Sequence, residues 1–195
     1  MDVMGRIDFS HTVLVQGAGP VGLFTPALAS LHQPRTLVVV GGPADRLAVA
    51  QEWGATDVVS VEEHPDPAAR VELVRDLTGG GPSVAFEMAG APGAAAEGVD
   101  MMGRNGRYVL MGTLGGARQQ VDVARIVGYG LRLRGSMSGD IGDYAVALDA
   151  LDRFSDRFDW NRILGTTYGL SELDRAMDAM RAMTEIKPVL DPRLP

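Results

Sequence analysis

Cysteine is missing from all 195 residues. Its absence excludes disulfides, thiolate zinc sites and a cysteine nucleophile within these residues. Positive charge is also short. Eighteen Lys and Arg stand against 25 Asp and Glu, a net charge of −7. That balance argues against nucleic acid or an anionic membrane as partner. No apolar run is long enough to span a bilayer. Met1 to Ser10 contain Asp2, Arg6 and Asp8 and no apolar stretch, so they do not read as a signal peptide. Histidine is sparse. His11, His32 and His64 lack the spacing of a metal site, and all three are expected at the surface, so no metal is expected. Two catalytic patterns are absent. No Tyr-x-x-x-Lys pair occurs, and Gly135–Gly139 places Met137, not a nucleophile, at its centre. The expectation is a cytoplasmic protein.

What is present is ordinary for a globular chain: 46% apolar and 22% charged residues. The length suits one large domain, residues 1–195. Short apolar runs alternate with amphipathic stretches. That alternation predicts strands at Thr12–Gln16, Thr36–Val40, Asp57–Val61, Ser83–Glu87, Arg107–Met111 and Leu131–Gly135. It predicts helices at Pro20–Leu31, Ala44–Trp53, Pro67–Thr78, Gly93–Met102, Val123–Tyr129, Ile141–Phe154 and Ser171–Met183, then a short strand at Lys187–Leu190. Ser171 is the expected N-cap of the last helix, and Asp45 that of the second. Met177, Met180 and Met183 share one helix face and are expected in the core. Pro26 conflicts with the first helix, as a tolerated kink or as a bend serving a changed pocket. The fold class is α/β: a doubly wound, six-stranded parallel sheet with helices on both faces, and a ligand crevice at the strand carboxyl ends.

The strand at Thr12–Gln16 runs straight into Gly17-x-Gly19-x-x-Gly22 and a helix. In that context the glycines are a dinucleotide-binding fingerprint of the Rossmann type. Gly17 permits the tight turn, Gly19 lets backbone approach a pyrophosphate, and Gly22 lets helix pack on strand. Helix N–H groups and dipole then face the phosphates. Gly17, Ala18, Gly19, Pro20, Val21 and Gly22 are therefore candidate cofactor-binding residues.

Six segments follow one another along the chain: residues 15–22 (VQGAGPVG), 44–55 (ADRLAVAQEWGA), 86–90 (FEMAG), 106–112 (GRYVLMG), 131–136 (LRLRGS) and 186–192 (IKPVLDP). In that ordered set the chain resembles the cofactor-binding domain of medium-chain dehydrogenases/reductases, the zinc alcohol dehydrogenase superfamily. It implies a partner domain, GroES-like, that would carry a Gly-His-Glu zinc motif, a cysteine ligand and a proton relay. None of these is in the sequence, so the expectation is the cofactor half of such an enzyme, naturally truncated or a separate domain. The resemblance also implies that the loops holding Ala89, Gly90, Met111, Gly112 and Thr113 line the cofactor cleft. Glu87 is either part of that lining or a structural carboxylate.

Cofactor choice turns on the end of the second strand. Domains that prefer NAD place an acid there to bind the ribose hydroxyls. This chain has Gly41 and Gly42, with Arg46 as a candidate partner for a 2′-phosphate. The expected cofactor is NAD(P)(H), with NADP slightly favoured. Expected partners are a small alcohol, carbonyl or enone substrate, a possible separate substrate-domain chain, and a second copy of this chain. A homodimer would pair the edge strand Leu131–Gly135 with its two-fold mate. Two alternatives stay open: a catalytically silent nucleotide-binding scaffold, and a non-redox enzyme using Asp140, Asp143 or Glu87 as acid or base.

Overall fold

The computed structural model describes residues 6–112 and 118–194. The chain forms two compact units, Met1–Met137 and Ser138–Pro195. In the first, the order is β1 (Thr12–Gln16), α1 (Pro20–Ser30), β2 (Thr36–Gly41), α2 (Ala44–Glu52), β3 (Asp57–Ser60), α3 (Pro67–Leu77), β4 (Val84–Glu87), α4 (Ala94–Met101), β5 (Arg107–Leu110), α5 (Val123–Tyr129) and β6 (Arg132–Gly135). All six predicted strands are present, each end within one residue of its expected place.

The strands form one parallel sheet in the order β3-β2-β1-β4-β5-β6. The chain winds outward from β1 in one direction, then returns across the sheet and winds outward from β4 in the other. Right-handed crossovers therefore put α1 and α2 on one face and α3, α4 and α5 on the other. Packing agrees: α1 meets α2, while α4 meets both α3 and α5. Both sheet faces are covered in the middle, so the central strands are apolar without alternation. Val13, Leu14, Val15, Leu37, Val38 and Val39 are each at most 1% exposed. Trp53 and Phe24, with ring centroids 5.9 Å apart, fill the gap between α2 and α1.

Beneath the other face lies a core of Leu14, Val38, Val59, Val74, Val99, Met101, Met102 and Tyr108. Arg70 of α3 crosses to α4 at its edge. Its Nε and Nη2 donate to the two carboxylate oxygens of Glu97, each at 2.8 Å, and Nη1 donates to the His64 carbonyl at 2.6 Å. The helix α1 runs unbroken through Pro26, which is buried within it.

The second unit holds α6 (Ile141–Arg153), a 3-10 turn (Trp160–Ile163), β7 (Leu164–Tyr168), a second 3-10 turn (Leu170–Glu172), α7 (Leu173–Arg181) and β8 (Lys187–Leu190). β7 and β8 pair in parallel as a separate two-stranded sheet. Glu185 holds its loop to β7. It accepts the Tyr168 hydroxyl at 2.7 Å and the Thr166 N–H at 2.9 Å.

Three local expectations are corrected. Ser171 lies in the second 3-10 turn and caps nothing; Glu172 occupies the N-cap position of α7. Pro43 is the N-cap residue of α2, and Asp45 is the second residue of the helix, its Oδ1 accepting the Arg46 N–H at 2.9 Å. Met177, Met180 and Met183 are 39–48% exposed: α7 packs chiefly on β8 and the 3-10 turn and, among the described residues, buries Ala176, while Met183 lies past its end at Arg181.

Candidate functional site

The strand order reverses between β1 and β4, so a crevice opens outside their carboxyl ends. The first loop there is built to a narrow tolerance. Gly17 has φ +108°, a conformation that side chains rarely adopt, and its N–H donates to the Val40 carbonyl at 2.7 Å. A Cβ on Gly17 would lie 2.8 Å from the Ala89 nitrogen, and one on Gly22 would run into the Gly17 carbonyl oxygen.

Gly19 is the opposite case. It is the N-cap residue of α1 at φ −76° and ψ 179°, which any residue can adopt, and a Cβ there would meet nothing within 4 Å. Pro20 follows at the first helical position, where a missing N–H costs least. The N–H groups of Gly19, Val21 and Gly22 have no acceptor among the described residues. Open space thus lies against unpaired donors at a helix N-terminus, which fits a pyrophosphate.

The other loops close on this one through their backbones. A Cβ on Gly90 would strike the Gly112 carbonyl, and one on Gly112 would lie 2.9 Å from the Ala89 nitrogen. Glu87, fully buried, fastens both. Its Oε1 accepts the Ala89 and Gly90 N–H groups at 2.9 and 2.7 Å. Its backbone carbonyl accepts the Met111 and Gly112 N–H groups, both at 3.0 Å. Its Oε2 has no hydrogen-bond partner among the described residues. Full burial places Glu87 under the cleft floor rather than on its lining. Gln16 supports the same corner: its Nε2 donates to the Ala94 carbonyl at 2.9 Å and its Oε1 accepts the Tyr108 hydroxyl at 2.5 Å. Burial first, and the Glu87 charge second, push the Tyr108 phenol far above its ordinary value, so it stays a donor. Gln16 and Tyr108 lie in two segments far apart in the sequence, 15–22 and 106–112, and the fold brings them together.

At the end of β2, a Cβ on Gly41 would come 2.9 Å from both the Ala18 nitrogen and its Cβ. Arg46 belongs to the same corner but is only 8% exposed. The structure therefore brings together Gly17–Gly22, Gly41, Gly42, Ala89, Gly90, Met111 and Gly112. Thr113 lies outside the described residues.

Beside the loop, an apolar groove of about 460 Å³ runs along α1, walled by Val21, Phe24, Phe86, Met88, Val109 and Met111. His32 and Ser136 are among its few polar groups. Asp140 and Asp143 have a structural task. Asp140 Oδ1 accepts the Gly142 and Asp143 N–H groups, and Asp143 Oδ2 accepts that of Asp140, a reciprocal cap on α6. Among the described residues, no three His, Asp or Glu side chains converge as a metal site. No helix among them is long and apolar enough to cross a membrane.

The model of the zinc-binding dehydrogenase family matches residues 20–153. A curated relative, 5-exo-hydroxycamphor dehydrogenase of Pseudomonas putida, is 30% identical over 99% of this chain and 54% of its own length. An alcohol dehydrogenase zinc-binding domain protein from Burkholderia ambifaria superposes with TM-score 0.83 and 27% identity, over 97% of this chain and 50% of that one. A Sinorhizobium meliloti protein, solved as a zinc-binding dehydrogenase bound to NADP, gives 0.79 and 26%, over 98% and 55%. The chain spans about half the length of the curated relatives it matches.

Proposed function

The chain belongs to the zinc-binding dehydrogenase family, and on that premise we propose that it binds NAD(P)(H) across the crevice at β1 and β4. It would serve there as the cofactor-holding half of an oxidoreductase. The reaction class is hydride transfer to or from a small alcohol, carbonyl or enone. One observation carries the reading: the open space at Gly19, bounded by the unpaired N–H groups of Gly19, Val21 and Gly22. Gly17 and Gly22 shape that space through backbone contact alone. The end of β2, at Gly41 and Gly42, would receive the adenosine ribose. Ala89, Gly90, Met111 and Gly112, with Thr113 following, would border the nicotinamide half. Once bound, the nicotinamide supplies the hydride chemistry, and the protein supplies binding and orientation.

NADP is admitted and slightly favoured, because no acid stands at Gly41 to repel a 2′-phosphate. Arg46, being buried, contributes less to that preference than the missing acid does. The family's zinc finds no ligand set among the described residues, so the substrate-polarising groups would come from other residues or from a separate substrate-domain chain. A cytoplasmic location fits the lack of cysteine.

The chain also presents β6 as an edge of its sheet, and a homodimer would pair that edge about a two-fold axis. The N–H groups of Arg132 and Ser136 donate towards β5, to the Gly106 and Leu110 carbonyls. Alternation then turns the Leu133 N–H outward, available to a partner strand.

Fluorescence titration of the purified chain with NADH and with NADPH tests the cofactor reading. Saturable binding of at least one is expected. No binding of either at millimolar concentration would overturn it. Binding without turnover on any alcohol or carbonyl, with the partner domain supplied, would favour the silent scaffold.

A further inference from the structure

We propose that Glu62 decides between a free 2′-hydroxyl and a 2′-phosphate on the cofactor's adenosine ribose. The inference rests on the dinucleotide reading and adds a specificity residue to it. In sheets of this kind an acid at the end of the second strand holds the ribose hydroxyls. Here no side chain fits at that point. A Cβ on Gly41 would lie 2.9 Å from the Ala18 nitrogen and Cβ, so an acid could stand there only by displacing the glycine loop. The turn that follows the neighbouring strand β3 stands beside the next residue. A Cβ on Gly42 would lie 3.3 Å from Val61 Cγ2 and 3.8 Å from the Glu62 carboxyl carbon. The Glu62 carboxylate therefore stands within van der Waals reach of the position a residue 42 Cβ would take.

Glu62 is held there by its own turn. Gly41 pairs with Ser60 in the parallel register, and the Val61 N–H donates to the Gly41 carbonyl at 2.9 Å. The buried Ser60 Oγ then accepts the Glu62 and Glu63 N–H groups, each at 3.2 Å, and the Ser60 carbonyl accepts the His64 N–H at 3.0 Å. The turn fixes the backbone while the carboxylate stays exposed. Among the described residues that carboxylate makes no hydrogen bond and no ion pair. It is free to accept a hydrogen bond from a ribose hydroxyl, and its charge opposes a phosphate at the same place. The glycine pair opens the site to NADP, and Glu62 limits how far.

The test compares dissociation constants for NADH and NADPH in the wild-type chain, Glu62→Gln and Glu63→Gln, at low and high salt. Glu62→Gln is expected to move the affinity ratio about tenfold towards NADPH, the scale of one charge-assisted contact. The gain in NADPH affinity should shrink as salt screens the wild-type repulsion. Glu63→Gln, on the same turn, should leave the ratio in place. A ratio in Glu62→Gln within about twofold of wild type would overturn the proposal, because that is well under one contact. So would an equal shift in Glu63→Gln. If the wild type binds neither cofactor, the dinucleotide reading falls first and this inference falls with it. A wild type that binds while both variants behave alike removes Glu62 only.

Discussion

Replacing Gly19 with valine separates the binding site from the fold. The backbone at Gly19 is ordinary extended chain, φ −76° and ψ 179°, so valine introduces no strain there. Its Cβ meets nothing within 4 Å beyond its chain neighbours, so the side chain starts into open space. The remaining cost is that of a poor N-cap residue, about 1 kcal/mol. Binding should suffer far more. The valine methyls stand where the pyrophosphate would approach the N–H groups of Val21 and Gly22. Losing two charge-assisted hydrogen bonds, at about 1.5–3 kcal/mol each, amounts to about 3–6 kcal/mol. That corresponds to roughly 10²–10⁴-fold in affinity. Fluorescence titration reads the affinity, and urea denaturation of the same samples reads the stability. Gly22→Ala is the contrast, since its Cβ would collide with the Gly17 carbonyl inside the loop; it should lose stability and affinity together. Binding by Gly19→Val within about tenfold of wild type would refute the cradle, since a single lost bond costs about that much. A stability loss above about 3 kcal/mol would refute the open space, because it exceeds any cap effect.

Arg70→Ala leaves Glu97 as a nearly buried, unpaired charge, with 12% of its side chain exposed. Chemical denaturation should show a loss of about 3–5 kcal/mol, and the pair Arg70→Met with Glu97→Leu should recover most of it. A loss below about 1 kcal/mol would class the pair with exposed ones. The Tyr168 hydroxyl bond, and then the Thr166 contacts, hold the Glu185 carboxyl below its ordinary value of 4.5. Its folded form is the more acidic, so this stabilisation is present above about pH 4.5 and is lost as pH falls through the lowered value. Thermal melts of wild type and Tyr168→Phe should therefore differ at pH 6 and converge in acid; a constant gap would dismiss the linkage. For the edge strand, light scattering should give a dimer mass for wild type and a monomer mass for Leu133→Pro, which removes an outward donor together with a side chain packed on the core, so circular dichroism of the same sample checks that the variant is folded. A dimer in the proline variant would place the interface elsewhere.

The strands and the glycine loop were legible because each is written locally. A buried apolar run, a fixed glycine spacing and a proline at a helix start do not depend on distant residues. β7 was not legible. Leu164–Tyr168 reads Leu-Gly-Thr-Thr-Tyr, with neither alternation nor an apolar run, and becomes a strand by pairing with β8. The burial of Glu87 was half legible: its strand was clear, but its bonds to Ala89 and Gly90 depend on a turn conformation that the sequence does not print. The sequence offers Arg46 as a candidate partner for a 2′-phosphate, whereas packing buries it. Glu62 was invisible as a neighbour of Gly42, because twenty residues of chain separate them and only the β2–β3 register joins them.

The interlock of Gly17, Gly22, Gly90 and Gly112 bears on how this chain tolerates change. At each of these positions the obstacle to a side chain is another stretch of main chain, which no compensating substitution can trim. A random-substitution library selected for folding should empty these positions of every residue but glycine, and second-site changes should not restore them. Positions such as Val21 and Met88, which present side chains to the groove, have no such veto. The shape of the crevice is thus inherited through main chain, while the surfaces that would choose a substrate are left to drift.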